Sequence, residues 1–365
     1  MPRSSNAYAL AHARLARGIG MDRRDFLKTT SAAAVAAGSA AASANATAGD
    51  VPVAPVIRSG ARLLTLGSQW GPEPAGFGPE RLAQRIETAT DGRYRIEIAH
   101  GNADDDLTYG NAGRHAALHP AFAFFAGLPF ALGLDAAAQQ TWLAVGGGEM
   151  LWDDLAFEFG FKPLLAGHTG ASAGVWAGAR LETIADLARA TLHAEGLAAD
   201  VVRTLGATPV QLAAHELRAT LADGRVQAAE WLGPPAVVMP DPQQPLAQRL
   251  YEPGFHRGGM MLSLAVRRSV WEAMSAADQT ILEACAAQDY HLSLAEARAH
   301  ALLASQVAAP AKWPVRLTWA DAVADALDHA LAEIVERIAA VDPNARRIHD
   351  SYRAFRHLLR EDIFA

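Results

Sequence analysis

An alternation of short strands with amphipathic helices begins at Ala61, and no other pattern in the chain limits the fold as strongly. The runs ARLLTLGS and RYRIEIAH are typical of strands, and residues 79–90 between them have helical spacing that stops at Asp91-Gly92. Strands connected through a helix form βαβ units, whose sheets need covered faces. The sequence therefore predicts an α/β fold built on open sheets.

A second strand and helix series follows, and long amphipathic helices dominate after Gly258. Its strand-like runs are KPLLAGHTG, GVWAGAR, ATLHAE, TPVQLAA and VQAAEWL. The order predicts two α/β lobes with a ligand cleft between them and a helical C-terminal layer. We expect lobe I to comprise residues 58–160 and about 232–265, lobe II residues 161–231 and about 266–318, and the C-terminal helices residues 319–365.

The N-terminal segment MDRRDFLKTTSAAAVAAGSAAASANATAGD has the parts of a twin-arginine export signal in order. Arg23 and Arg24 precede Phe-Leu-Lys, an Ala-rich run and small-residue cleavage positions after Ala46 or Ala48. We expect residues 1–48 to be removed on export to the periplasm, with Met21 as an alternative start. The other interpretation of the basic pair is the start of an amphipathic helix.

The composition limits the kind of partner. The 365 residues are 51% hydrophobic and 19% charged, which suits a globular chain with one large or two moderate cores. A formal net charge of −7 and the lack of a basic stripe argue against nucleic acid. Cys285 is the single cysteine, so the chain cannot form an internal disulfide.

The run VQAAEWLGPP, Val226 to Pro235, ends a predicted strand with Glu230 and Trp231. Burial of an unpaired carboxylate at a strand end costs about 2 kcal/mol or more, so Glu230 needs a partner. A nearby arginine or backbone N–H groups could supply one. This acid is the first candidate for a functional residue.

Six segments match the sequence pattern of one transporter family in order: AFAFFAGLPFALG, TWLAVGGGEMLWDDLAFEFG, AGHTGASAGVWA, EGLAADVVRTLGATPVQLAAHELRATLADGRVQAAEWLGPP, YEPGFHRGG and DSYRAFR. From Gln69 to Phe355 the chain resembles the solute-binding proteins of tripartite ATP-independent periplasmic (TRAP) transporters. Within this DctP-like family it is similar to the 2-oxo acid, lactate and mannitol-chloroaromatic branch. The resemblance implies two α/β lobes that close over a small organic solute, and a small and a large membrane subunit that receive it.

The resemblance also implies roles for individual residues. Glu230 would help to hold a cation, such as sodium or calcium, that bridges to a ligand carboxylate. Trp231 would lie beside the cation and pack on the ligand, with a purely core role as the alternative. His256 lies where the family has a Gln, Glu or His near the cation.

Two positions of this site depart from the family pattern. His193 replaces an arginine that grips the ligand carboxylate, and a mostly neutral imidazole makes a weaker carboxylate partner. Ser172 replaces a glutamine that contacts both ligand and ion. His193 and His256 with Glu230 would suit a divalent transition metal, whereas a plain hydrogen-bonding pocket would suit a less acidic solute.

The segment between His100 and His119 is shorter than its family counterpart, which contains a helix and another strand. We therefore expect a supersecondary piece of lobe I to be missing. Such a loss would alter the cleft or mark a decayed copy of a binding protein.

Together these features predict a periplasmic binding protein for a small organic solute, without enzymatic activity. One alternative is a periplasmic enzyme with a catalytic metal on His193, Glu230 and His256. Another is a ligand sensor that docks to a receptor domain. The C-terminal helices would provide the contact surface of a homodimer.

Replacing Arg23 and Arg24 together with lysine should leave the precursor uncleaved in the cytoplasm, because the export signal is recognised through its arginine pair. Immunoblotting of cell fractions separates the precursor from the shorter mature form. Lys28→Arg is the matched control, since it retains charge and leaves the pair intact. Normal processing of the double variant would contradict the export assignment.

Overall fold

The computed structural model describes residues 60–68, 78–100, 105–232, 246–308 and 314–360, so the expected export signal lies outside the described residues. Helices α1 to α10 span, in chain order, Pro79–Ala89, Ala136–Ala144, Gly148–Glu158, Ile184–Ala188, Gly196–Thr204, Ala214–Ala222, Arg268–Glu272, Ala276–Ala308, Asp321–Ala339 and Pro343–Arg360. Short 3-10 helices span Ala112–Ala117, Pro120–Phe125 and Phe130–Leu132. The strands form two sheets.

The first sheet has five strands in the order β2-β1-β3-β10-β4. These strands are β1 Arg62–Ser68, β2 Tyr94–His100, β3 Leu107–Asn111, β4 Phe161–His168 and β10 Met261–Arg267. β1 pairs in parallel with β2, as expected for strands that a helix connects, and β1 also pairs in parallel with β3. β10 is antiparallel to both β3 and β4, so a late strand closes the middle of this sheet.

The second sheet has six strands in the order β11-β9-β5-β8-β6-β7. These strands are β5 Val175–Ala177, β6 Thr191–His193, β7 Thr208–Val210, β8 Ala228–Glu230, β9 Arg249–Glu252 and β11 Val315–Thr318. β6 runs parallel to both β7 and β8. The carboxyl ends of β6 and β8 therefore lie side by side at one edge of the sheet, where α/β proteins commonly bind ligands.

Two short crossing segments join the sheets, residues 169–174 after β4 and residues 253–260 after β9, and the chain crosses once more between β10 and β11. The two crossing segments lie next to each other. Thr169 N donates to the carbonyl oxygen of Met260 at 3.0 Å, and Met260 N donates to Thr169 Oγ1 at 2.9 Å. These bonds satisfy backbone groups that neither sheet pairs.

Helices α1 and α8 pack together on the first sheet. Leu82, Ala83 and Ile86 form the buried face of α1. Arg81 ties α1 to α8 because its guanidinium binds the fully buried Asp289 at 2.6 Å and Glu296 at 2.7 Å. Helices α9 and α10 pack on each other, on α5 and on α3, and form the expected helical C-terminal layer.

Sheet membership differs from the expected lobe division at two strands. β4, expected in lobe II, pairs with β10 in the first sheet, and β9, expected in lobe I, pairs with β5 in the second. Helix α8 also departs from the expected division, because it was expected in lobe II but packs on β4 and α1, which belong with the first sheet. Both strands adjoin a crossing segment, where long-range pairing rather than local sequence pattern decides the sheet.

The short segment between His100 and His119 does not interrupt the first sheet. Its residues Leu107–Asn111 form β3, which pairs with β1 on one side and β10 on the other. No helix lies between β2 and β3 among the described residues. The segment thus contributes a strand to the first sheet, and the expected loss relative to the family stays a prediction.

None of the helices in the described ranges is long and apolar enough to cross a membrane.

Alanine substitutions at two glycines test how closely the crossing segments pack. A Cβ at Gly259 would overlap the carbonyl oxygen of Gly170, whereas a Cβ at Gly224 would meet nothing within 4 Å. Both have left-handed backbones, with φ of +80° and +76°. Gly224→Ala should lower the free energy of unfolding by about 1 kcal/mol from backbone strain alone. Gly259→Ala should lower it by at least about 3 kcal/mol, because backbone atoms must move.

Urea denaturation measures both values. Equal losses in the two variants would show that the segments do not pack this closely.

Candidate functional site

Glu230 ends β8 and is 1% exposed, so the strand buries a carboxylate as the sequence predicts. β8 lies between β5 and β6, in the interior of the second sheet. A buried carboxylate must be neutralised or hydrogen-bonded. Groups close to Glu230 must therefore bind its carboxylate oxygens.

His256, in the second crossing segment, satisfies both oxygens of Glu230. Its backbone N–H donates to Oε1 at 2.9 Å, and its ring Nδ1 lies 2.8 Å from Oε2. His256 is itself 1% exposed. With Nδ1–H as the donor, the ring and the backbone of one residue hold the carboxylate in a fixed orientation. Of the expected partners, a backbone N–H is confirmed, and no arginine in the described ranges pairs with Glu230.

Ser172 joins this pair from the first crossing segment. Its backbone N–H donates to the carbonyl oxygen of His256 at 3.3 Å, and its Oγ accepts from Gly174 N at 3.3 Å. A Cβ added at Gly254 would overlap Ser172 Oγ and lie 2.6 Å from Glu230 Oε1. The backbone at Gly254 therefore packs directly against Ser172 and Glu230, and a larger residue there would collide with both.

His193 ends β6 and is 1% exposed. Its Nδ1 accepts a hydrogen bond from the backbone N–H of Leu212 at 3.2 Å, and its Nε2 lies 3.8 Å from Glu195 Oε1. Burial lowers the pKa of His193, against smaller opposing effects of the Val210 backbone and the Glu230 charge. The ring is therefore neutral at pH 7 and is not a charged substitute for arginine.

Glu195 is a site residue that the sequence interpretation did not include. Burial raises the pKa of the Glu195 carboxyl, the charge of His256 lowers it and the charge of Glu230 raises it. Glu195 therefore lies within electrostatic reach of the Glu230–His256 pair. Its position in the sequence could have indicated this role, because Glu195 comes just after β6, at the same edge of the sheet as the end of β8. The rule that selected Glu230, an acid at a strand end, also applies to Glu195.

Trp231 is half-buried and packs against an apolar cluster of the second sheet that contains Trp176, Leu217 and Leu250. Neighbouring residues of a strand point to opposite faces, so Trp231 and Glu230 leave β8 in opposite directions. The packing favours the core role for its ring, and its contact with a ligand stays a prediction.

The expected three-residue set for a transition metal does not come together. In the described ranges, no group of three or more His, Cys, Asp or Glu side chains is arranged to hold a metal ion. The register pairs His193 with Ala229 rather than with Glu230, so the two side chains leave the sheet on opposite faces. The Nδ1 of His256 is also occupied by Glu230.

A separate cavity of about 550 Å³ opens beside α9 and α10. Its wall combines apolar residues such as Phe124 and Leu128 with Arg353 and Arg356. It includes none of the site residues described above. The expected homodimer through these helices stays a prediction.

Comparison with known proteins identifies the family. The model of bacterial extracellular solute-binding protein, family 7, matches residues 72–338. The chain is 26% identical over 313 residues to a monocarboxylate 2-oxoacid-binding periplasmic protein of Nostoc sp. (strain PCC 7120), which covers 79% of this chain and 81% of that protein.

Two solved structures share the fold. A TRAP periplasmic solute-binding protein from Colwellia psychrerythraea, with bound calcium and pyruvate, has a TM-score of 0.74 and 23% identity, and covers 82% of this chain and 96% of its own. A second such protein, from Pseudoalteromonas atlantica with bound sodium and pyruvate, has a TM-score of 0.71 and 21% identity, and covers 82% of this chain and 95% of its own.

The two sheets and the crossing segments between them share the two-lobed α/β fold of these solute-binding proteins, which confirms the expected fold class. The chain belongs to the bacterial extracellular solute-binding protein family 7.

Removing one member of the buried pair should destabilise the protein strongly. Glu230→Ala leaves the His256 N–H and ring without an acceptor, and we expect a loss of about 3–5 kcal/mol in the free energy of unfolding. Glu230→Gln keeps an oxygen acceptor and should lose only about 1 kcal/mol. Chemical denaturation measures both, and similar losses in the two variants would contradict the pairing.

Proposed function

We propose that this protein captures a small organic acid in the periplasm and delivers it to the small and large membrane subunits of a TRAP transporter. The observation that supports this is the buried Glu230 carboxylate, held by His256 where the two crossing segments meet. A binding protein needs its solute site at such a junction so that the lobes can close on the solute. The relatives named for 2-oxoacids and pyruvate support the acid class.

One cation at Glu230 completes the proposed site. The two bonds from His256 use two of about four lone-pair positions on the carboxylate, so Glu230 keeps the capacity to bind a hard cation. Sodium and calcium take oxygen ligands, which Glu230, Ser172 Oγ and the backbone carbonyl of Trp231 would supply. The cation would supply positive charge that the chain lacks at His193.

The two alternatives receive less support. A metal-dependent enzyme would need His193, Glu230 and His256 on one ion, and these side chains are not arranged in that way in the described part of the chain. A sensor would use the same solute site but dock to a receptor domain. Family membership favours transport over both.

Export through the twin-arginine pathway belongs to this proposal. Residues 1–48 would direct the chain to the periplasm, which is the location given for the Nostoc relative. Proteins exported by this route cross the membrane already folded. The solute site would thus form before delivery.

Calcium and pyruvate together should raise the unfolding temperature of the mature protein, since a ligand at a hundredfold excess over Kd adds about 2.7 kcal/mol. Glu230→Gln should abolish this effect because it removes the charge that holds the cation. Glu272→Gln, which removes an exposed carboxylate paired with Arg268, is the control and should respond as the wild type does.

A screen that extends to other small carboxylates completes the experiment. If no acid shifts the unfolding temperature, with calcium or with sodium, the proposed function is wrong.

A further inference from the structure

Two buried polar side chains beside the crossing segments, His168 and Gln139, have no part in the proposed cation site. His168 ends β4 and is 2% exposed. Gln139 lies on α2 and is 1% exposed. Buried polar groups need hydrogen-bond partners, and those partners show what the two side chains hold in place.

The hydrogen bonds of His168 fix its tautomer. Burial lowers the pKa of His168 to about 4, against a smaller opposing effect of the Asp135 charge, so the ring is neutral at pH 7. Its Nδ1 accepts from the N–H of Gly170, in the first crossing segment, at 2.9 Å. The ring proton is therefore on Nε2, which lies 3.0 Å from Gln139 Oε1. His168 thus connects the first crossing segment to Gln139.

The partners of Gln139 also fix its orientation. Because its Oε1 accepts from His168, its amide nitrogen Nε2 has two hydrogens to donate. Nε2 donates to the backbone carbonyl oxygens of Leu134 at 2.8 Å and of Gly259 at 3.3 Å. Gly259 belongs to the second crossing segment. The two side chains therefore link one crossing segment to the other.

The second crossing segment extends this link to the buried acid. Gly259 N donates to the carbonyl oxygen of His256 at 2.9 Å. His256 in turn binds both oxygens of Glu230. A Cβ at Gly259 would lie 2.8 Å from the ring carbon Cε1 of His168, so the segment packs directly on that ring. A shift of Gly259 would therefore displace the residue that orients Glu230.

We propose that Gln139 and His168 are positioning residues of the solute site, which tie the two crossing segments together and so hold His256 against Glu230. This inference rests on the proposed function, in which the Glu230 carboxylate binds the cation. Neither side chain needs to touch the cation or the solute. Because a cation site depends on how firmly its ligands are oriented, loss of either side chain weakens solute binding in protein that is still folded.

Titration calorimetry with pyruvate in the presence of calcium tests this, at a temperature at which circular dichroism shows every variant to be folded. Gln139→Met keeps the length of the side chain but removes both polar atoms, and it should weaken pyruvate binding about tenfold or more. Gln279→Met is the matched control, because Gln279 Nε2 donates to the carbonyl oxygen of Trp271 at 2.9 Å near the start of α8. The control should bind pyruvate as the wild type does.

Two variants at His168 distinguish positioning from packing. His168→Leu leaves the Gly170 N–H without its acceptor and should weaken pyruvate binding about as much as Gln139→Met does. His168→Asn offers an amide oxygen in place of Nδ1 and should recover most of the wild-type affinity. A packing role predicts the opposite order, because leucine fills more of the space than asparagine does.

Hydrogen exchange followed by mass spectrometry examines the second crossing segment without any ligand. In Gln139→Met, a peptide covering residues 253–260 should exchange about tenfold faster than in the wild type, because the segment opens locally. A peptide covering α1 should exchange at the wild-type rate. Gln279→Met should leave both peptides unchanged.

The outcomes separate the two proposals. Wild-type affinity in both Gln139→Met and His168→Leu overturns the positioning role and leaves the proposed function in place. Unchanged exchange of residues 253–260 in Gln139→Met, or weaker binding by His168→Asn than by His168→Leu, overturns it as well. If no carboxylate binds the wild type at all, the proposed function fails and the positioning role with it.

Discussion

The buried carboxylate of Glu230 is the constraint on which the rest of the site depends. Because it cannot remain unpaired, the chain brings His256 to it from the second crossing segment, and His256 in turn accepts the backbone N–H of Ser172 from the first. One acid thus links a strand end to both crossing segments.

Much of the fold could be predicted because it follows from local periodicity. The alternation after Ala61 indicated α/β sheets, and the acid at position 230 stood out because strand ends rarely bury charge. Partners far apart in sequence could not be predicted in this way. His256 lies 26 residues from Glu230, and β4 and β9 lie in the opposite sheets from those that the expected lobe division gives them. The unpredicted part is therefore the long-range pairing.

Two departures from the family pattern now have different meanings. The short segment before His119 contains β3, so β1 and β10 still belong to one continuous sheet. That departure does not by itself indicate a decayed protein. The histidine at position 193 is neutral, buried and next to Glu195, so it changes the charge and hydrogen bonding at the edge of the sheet. The contacts therefore show a continuous first sheet at the short segment and an altered set of polar groups at position 193.

In the proposed site, Glu230 anchors a cation and an organic solute between the two lobes. Native mass spectrometry of the protein exported in its own host tests this directly, since it weighs the folded chain with whatever it holds. We expect a mature protein that retains one cation and one small organic acid, both lost in Glu230→Gln. Retention of the same two masses by Glu230→Gln would contradict it.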